Sequence, residues 1–175
     1  MYHFSRGCIR KVISNMSGID PLQIPLKADP GKPPSLAEGW GHISISHCYD
    51  ALLIGWCATK IGVDIERKDR KIQARKLSKR FFNHHEHLEI ANLSESESQE
   101  KVLQRWVVKE ASIKWEGSKI SKNLDQWIWM NNSSFAYHKK LGYKIKVYNQ
   151  TLDKWTFGIA LNENSMTYKP IICIH

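Results

Sequence analysis

The sequence predicts a mixed α+β protein, and three observations carry that prediction. Short runs of alternating apolar and polar residues recur before residue 67 and again after residue 142, as half-buried strands require. Between Ser94 and Gly117 the apolar side chains instead recur at helical spacing, with capping residues at both ends. Strand-like and helix-like segments are grouped rather than alternating one by one, which favours small antiparallel sheets with packed helices. A length of 175 residues accommodates one domain or two small lobes.

Each element has its own local reason. Residues 8–16 place Cys8, Val12 and Ile13 at helix-compatible spacing, and residues 29–34 hold enough Pro and Gly to form a loop. Residues 42–47 alternate at Ile43 and Ile45, which predicts a strand with one buried face. Residues 52–57 and 61–66 read as two further strands, and the short link between them predicts that they pair as a hairpin. Residues 72–82 set Ile72, Leu77 and Phe81 on one helical face amid many cations.

The longest helix spans residues 94–115. Ser94 and Glu97 form a capping box, Gly117 is a C-terminal stop, and Val102, Leu103, Trp106, Val107 and Ile113 make the apolar stripe. Trp127 and Trp129 alternate on a strand and serve sheet packing, while His84, His85 and His87 read as surface residues at a helix start rather than metal ligands. Residues 143–148, 155–161 and 170–174 complete the set of strands.

Composition excludes several classes. Hydrophobic residues at 42% and charged residues at 25% sit near globular averages, so a disordered or fibrous chain is not expected. The longest uncharged apolar run, residues 51–58, falls far short of the roughly 20 residues a bilayer crossing needs. The first ten residues lack the basic-then-apolar order of a secretory signal, so a cytoplasmic protein is expected. Cys8, Cys48, Cys57 and Cys173 lack a CxxC pair and read as reduced thiols. A net charge of +9 points to an anionic partner: nucleic acid, a phosphorylated small molecule or an acidic protein.

Two segments carry chemistry. Asp64 and Glu66 are two apart on a strand and share a face, with Val63 and Ile65 directed at the core on the other side. Such neighbouring carboxylates repel, an arrangement suited either to a solvated surface or to a hard divalent cation between them. Glu110 and Lys114 stand four apart on one face of the long helix, which by itself describes an ordinary surface ion pair.

Together, Gly62-Val63-Asp64 and the helix motif Trp106-x-x-Lys109-Glu110-x-x-x-Lys114, whose Glu110 lies 46 residues beyond Asp64, resemble the signature of the phosphopantetheinyl transferases. Ser46-His47, Gly31-Lys32-Pro33 and Lys79-Arg80-Phe81-Phe82 resemble flanking elements of that family, and the likeness runs from about residue 8 to residue 161. With 63 residues ahead of Asp64, the chain is similar to the surfactin-synthetase-activator type rather than the shorter trimeric synthases. The resemblance implies a monomer of two similar lobes, each with a small antiparallel sheet and packed helices. Residues 1–60 would form the lobe on the adenine side of coenzyme A, and 61–175 the lobe with the metal site and catalytic helix. Relatives of this type carry a further strand and helix ahead of the point where this chain begins, so the first lobe is expected to be incomplete.

The implied activity is transfer of the 4′-phosphopantetheine arm of coenzyme A to a serine of an acyl or peptidyl carrier protein, with release of adenosine 3′,5′-bisphosphate. By the same resemblance Asp64, Glu66 and Glu110 would hold Mg²⁺, with Mn²⁺ the other candidate, and Glu110 would be the general base. Lys114 would contact the pyrophosphate and Lys109 would add a second phosphate contact. Ser46 and His47 would bind the 3′-phosphate, and Lys32 and Pro33 would lie along the adenine.

Arg67, Lys68, Arg70, Lys71, Arg75, Lys76, Lys79 and Arg80 face a single acid, Asp69, in residues 67–80. Carrier proteins are typically acidic, so this stretch is the expected docking surface. Two alternatives stand beside the transferase reading: a basic nucleic-acid-binding protein using residues 67–80, and a homologue that binds coenzyme A without turnover.

Overall fold

Burial on both sides of one hairpin organises the molecule. In the computed structural model, which describes residues 2–29, 31–118, 123–130 and 133–164, β3 (His42–Cys48) pairs antiparallel with β4 (Ala51–Cys57). One face, bearing Ile43, Ile45, Ile54 and Trp56, packs on Ile9 and Ile13 of helix α1 (Tyr2–Ser17) and on Ile24. The other face presents Cys48, Ala51, Leu53 and Cys57 to a larger sheet. A two-stranded ribbon, β1 (Leu26–Lys27) with β2 (Ser35–Leu36), flanks the loop that carries Lys32 and Pro33.

The larger sheet has five strands in the order β5-β9-β8-β7-β6, each antiparallel to its neighbours: β5 (Ile61–Arg67), β6 (Trp127–Ile128), β7 (Phe135–His138), β8 (Lys144–Leu152) and β9 (Trp155–Leu161). Val63, Ile65, Phe157, Ile159 and Leu161 face the hairpin. Ala136, Ile145, Val147 and Ala160 face the other way, onto Val108, Ala111 and Ile113 of helix α4 (Glu95–Glu116). Helices α2 (Ala74–Phe81) and α3 (His84–Ala91) cover the first half of α4, through Ala74, Phe82, Ile90 and Val102.

The α+β class and the long helix agree with the sequence. Ser94 and Glu97 close the capping box of α4, and Gly117 ends it in the left-handed conformation at φ 82°. Trp127 and Trp129 are buried in the sheet core as expected. Helix α1 extends the expected 8–16 segment in both directions, β8 runs on to Leu152, and the strand expected at 170–174 lies outside the described residues.

The expected pairing of residues 52–57 with 61–66 is corrected. β4 bonds to β3, and β5 bonds along its length to β9, from Ile61 opposite Leu161 to Arg67 opposite Trp155. Residues 58–60 therefore pass between sheets. β4 instead lies across β5 in side-chain contact: a Cβ at Gly55 would come within 2.6 Å of Val63 Cγ1 and 2.8 Å of Ile61 Cδ1. Ser44 Oγ on β3 accepts from Val63 N–H at 3.1 Å, so the hairpin meets that strand through side chains.

At the hairpin tip, Asp50 ties the two sheets together. Its carboxylate accepts from Arg67 of β5 at 2.6 Å and from Trp155 Nε1 of β9 at 3.0 Å, and it pairs with Lys154 at 2.8 Å. The Lys154 hydrogen bond first, then that of Trp155, pulls its pKa from 3.8 down to about 2. A carboxylate with a lowered folded-state pKa contributes stability that is present above its unfolded value and is lost as pH falls through the folded one. Asp50→Asn should therefore lower the urea midpoint at pH 6, and that difference should shrink as acid approaches pH 2. A deficit independent of pH would show that the clamp does not work through charge.

Candidate functional site

Two glycines let helix α4 lie against the sheet backbone. Gly62, Asp64 and Glu66 alternate onto the α4 side of β5, opposite Ala160, Gly158 and Thr156 of β9. A Cβ at Gly62 would overlap the carbonyl oxygen of Ala111 and reach within 2.5 Å of Trp115 N, and one at Gly158 would reach within 2.5 Å of Val107 O. The helix thus crosses β9 at Val107 and β5 at Ala111, which brings Glu110 and Lys114 beside the strand that carries Asp64 and Glu66. Lys114 Nζ shows the closeness directly, donating to Val63 O at 3.1 Å and to Asp64 Oδ1 at 2.7 Å.

The carboxylates form one electrostatic group. Asp64 is 3% exposed; its Oδ1 accepts from Ser46 Oγ at 2.7 Å as well as from Lys114, while Oδ2 is buried with no hydrogen-bond partner among the described residues. Burial raises its pKa against the pull of Lys114 and Ser46. Glu66 pairs with Arg70, yet burial still raises its proton affinity, and the charge of Asp64 adds to the rise. Glu110 is pushed up to about 7, first by burial, then by Asp64 and more weakly by Glu66, against the charge of Lys114 and, more weakly, a hydrogen bond from the Trp106 side chain.

Among the described residues no three His, Cys, Asp or Glu side chains stand as a ready-made metal site. Lys114 and Arg70 hold two of the acids instead. The donor set nonetheless suits a hard divalent cation: it is all oxygen, it is mutually repelling, and it includes a buried carboxylate oxygen with no partner among the described residues.

The remaining expected residues fall into different places. Ser46 and His47 are adjacent on β3 and so point to opposite faces, Ser46 inward to Asp64 and His47 outward and exposed. Lys32 and Pro33 are exposed in the loop after β1, with Lys32 paired to Asp29 at 3.2 Å. His87 is more than a surface residue: its Nδ1 lies 2.9 Å from Ser78 Oγ and links α3 to α2.

Lys109 is corrected. Successive helical residues diverge by about 100°, so Lys109 leaves the face that Glu110 occupies. Its ammonium is wholly buried, paired with Glu86 at 2.7 Å and donating to Leu124 O at 3.0 Å and to Trp127 O. From that position it contacts no phosphate. Two features escaped the sequence reading: Glu86, and the small residues Gly158 and Ala160. The alternation of the latter matches that of Gly62 and was the available signal.

A family model described as the 4′-phosphopantetheinyl transferase superfamily matches residues 60–168, a span that contains Asp64, Glu66, Glu110 and Lys114. The chain belongs to that superfamily. Among curated members, 4′-phosphopantetheinyl transferase Sfp of Bacillus subtilis (strain 168) is 30% identical over 122 residues, 68% of this chain and 53% of the relative. The 4′-phosphopantetheinyl transferase ffp of Bacillus subtilis is likewise 30% identical over 122 residues, with the same coverage. This chain therefore spans about half the length of the curated transferases it matches. Among solved structures, the holo-acyl-carrier-protein synthase of Thermotoga maritima covers 60% of this chain and 64% of its own, at 18% identity and a TM-score of 0.46.

The glycine contacts can be tested in this transferase homologue. Gly62→Ala should destabilise the protein by about 1–3 kcal/mol in urea unfolding, because the methyl group meets helix backbone that has no rotamer to yield. Gly7→Ala, on α1 with nothing within 4 Å of the new Cβ, should instead be neutral or stabilise by about 0.5–1 kcal/mol. Equal effects at the two positions would show that α4 does not rest on β5 backbone.

Proposed function

We propose that the chain transfers the 4′-phosphopantetheine group of coenzyme A to a serine of an acyl or peptidyl carrier protein. The observation that carries the reading is the meeting of Asp64 and Glu66 on β5 with Glu110 and Lys114 on α4, across backbone contacts that only glycine permits. Membership of the superfamily supports the same reaction class.

In this reading Glu110 takes the proton of the carrier serine, directly or through a water. Glu110 is fixed on a rigid helix beside the two strand acids, one turn before Lys114, which suits a general base acting on a substrate held there. The serine oxygen forms a bond to the phosphorus of the pantetheine phosphate, the bridging pyrophosphate bond breaks, and adenosine 3′,5′-bisphosphate leaves. Lys114 is placed to stabilise charge on the leaving group. Asp64, Glu66 and Glu110 would hold Mg²⁺, or Mn²⁺ as the other candidate, which when bound neutralises the pyrophosphate oxygens. His47, exposed on β3, contacts the 3′-phosphate, Ser46 on the opposite face is bonded to Asp64, and Lys32 with Pro33 flanks the adenine.

Residues 1–60 then act as the coenzyme A lobe and residues 61–175 as the catalytic lobe of a cytoplasmic monomer. Among the described residues no helix is long and apolar enough to cross a membrane. The acidic carrier docks against Lys68, Lys71, Lys76, Lys79 and Arg80, which are exposed ahead of α2 and along it. A nucleic-acid-binding protein would account for these cations but would leave the buried carboxylates without a role.

The test is to incubate the protein with coenzyme A, Mg²⁺ and a panel of apo carrier proteins and to weigh the carriers. A gain of one phosphopantetheine is expected, with Glu110→Gln slowing it by at least about 100-fold. No gain on any carrier would reject the reading. Lys76→Glu with Lys79→Glu should raise KM for the carrier severalfold and leave KM for coenzyme A unchanged; equal effects on both substrates would remove the docking role from α2.

A further inference from the structure

The buried node around Lys109 is the largest polar feature that the proposed chemistry does not use. All three protons of its ammonium are taken, by Glu86 at 2.7 Å, by Leu124 O at 3.0 Å and by Trp127 O, while the ring of Phe82 lies 4.9 Å from Nζ. Glu86 is saturated in turn: it accepts from Trp129 N–H at 3.3 Å and from Asn83 N–H at 3.2 Å, as part of the capping box that starts α3. Arg105, one turn before Lys109 on α4, donates to Glu86 O at 3.1 Å and pairs with Glu89. Four elements therefore converge on one ion pair: α3, α4, the segment leading into β6, and β6 itself.

A buried pair of this kind is a poor source of stability, because desolvating both charges offsets their attraction; apolar side chains of similar volume often serve as well or better. What the pair does supply is direction. Its hydrogen bonds are satisfied at one rotation of α4 only, since turning the helix would pull the ammonium from two fixed backbone carbonyls at once. Glu110 is the next residue along. Gly62 and Gly158 set how close α4 lies to the sheet, but a smooth glycine surface does not fix rotation about the helix axis.

Resting on the transfer reading above, we infer that Lys109, through its pair with Glu86, is a positioning residue that sets the rotation of α4 and thereby aims Glu110 at Asp64 and Glu66. The pair touches neither substrate. Its loss acts on the proton transfer and on the cation that the three carboxylates would hold, and leaves binding of coenzyme A alone.

Lys109→Met alone strands the Glu86 charge in the core, so the informative protein is the double variant E86Q/K109M. The introduced glutamine amide keeps an acceptor for Trp129 N–H and leaves no unpaired charge in the core. The double variant should fold and melt within about 5 °C of wild type. Its kcat should fall about tenfold or more, and its affinity for Mn²⁺, titrated by electron paramagnetic resonance, should weaken about tenfold. KM for coenzyme A should stay within roughly twofold of wild type.

A folded double variant with wild-type kcat and Mn²⁺ affinity overturns the inference. A raised KM for coenzyme A at unchanged kcat overturns it in favour of a phosphate contact, and a double variant that fails to fold overturns it in favour of a purely structural node. Wild-type protein that loads no carrier would reject the transfer reading by itself, and the Mn²⁺ titration would then decide the positioning role. Wild-type protein that also binds no Mn²⁺ would overturn both.

Discussion

The arrangement depends on helix backbone resting against strand backbone. At Gly62 and Gly158 there is no room for even a methyl group between sheet and helix, so α4 lies closer to the sheet than side-chain packing would allow. That closeness lets Lys114, which belongs to the helix, bond a main-chain oxygen and a carboxylate of β5 together. It also brings a helical acid within the field of two strand acids. On the side of the sheet away from α4, the hairpin packs on the sheet and α1 packs on the hairpin, so β5 is backed by two apolar layers beneath the helix.

What the contact creates is electrostatically unfavourable in isolation. Asp64, Glu66 and Glu110 all have raised proton affinities, and burial is the first cause of each. Lys114 and Arg70 offset part of the repulsion, but among the described residues Asp64 Oδ2 has no partner. A fold that concentrates like charges in one place and balances them incompletely has built a place for a cation and an anionic ligand rather than a contribution to stability. The Lys109–Glu86 pair, about 100° round the same helix from Glu110, is the reverse case, a balanced and enclosed pair with no access to ligand.

Much of this was legible in the sequence where local rules suffice. Ser94 with Glu97 and Gly117 delimit α4 because capping is a matter of a few neighbouring residues. Strand alternation put Asp64 and Glu66 on one face, and the same rule applied to Ser46 and His47 separates them. The pairing of β4 and β5 was misread because a short link is compatible with a hairpin, whereas the partner of β5 is chosen by a strand almost a hundred residues away. The direction of Lys109 relative to Glu110 follows from helical geometry, but its partner comes from α3 and its carbonyl acceptors from the segment before β6 and from β6, which no spacing within α4 encodes.

The most direct measurement is a crystal structure of the protein grown with Mn²⁺, read by anomalous scattering. The account predicts a single peak beside the Asp64 end of the β5–α4 contact, with carboxylate oxygens of Asp64, Glu66 and Glu110 all bonded to it. A peak elsewhere, or electron density that directs Glu110 away from the two strand acids, would contradict it.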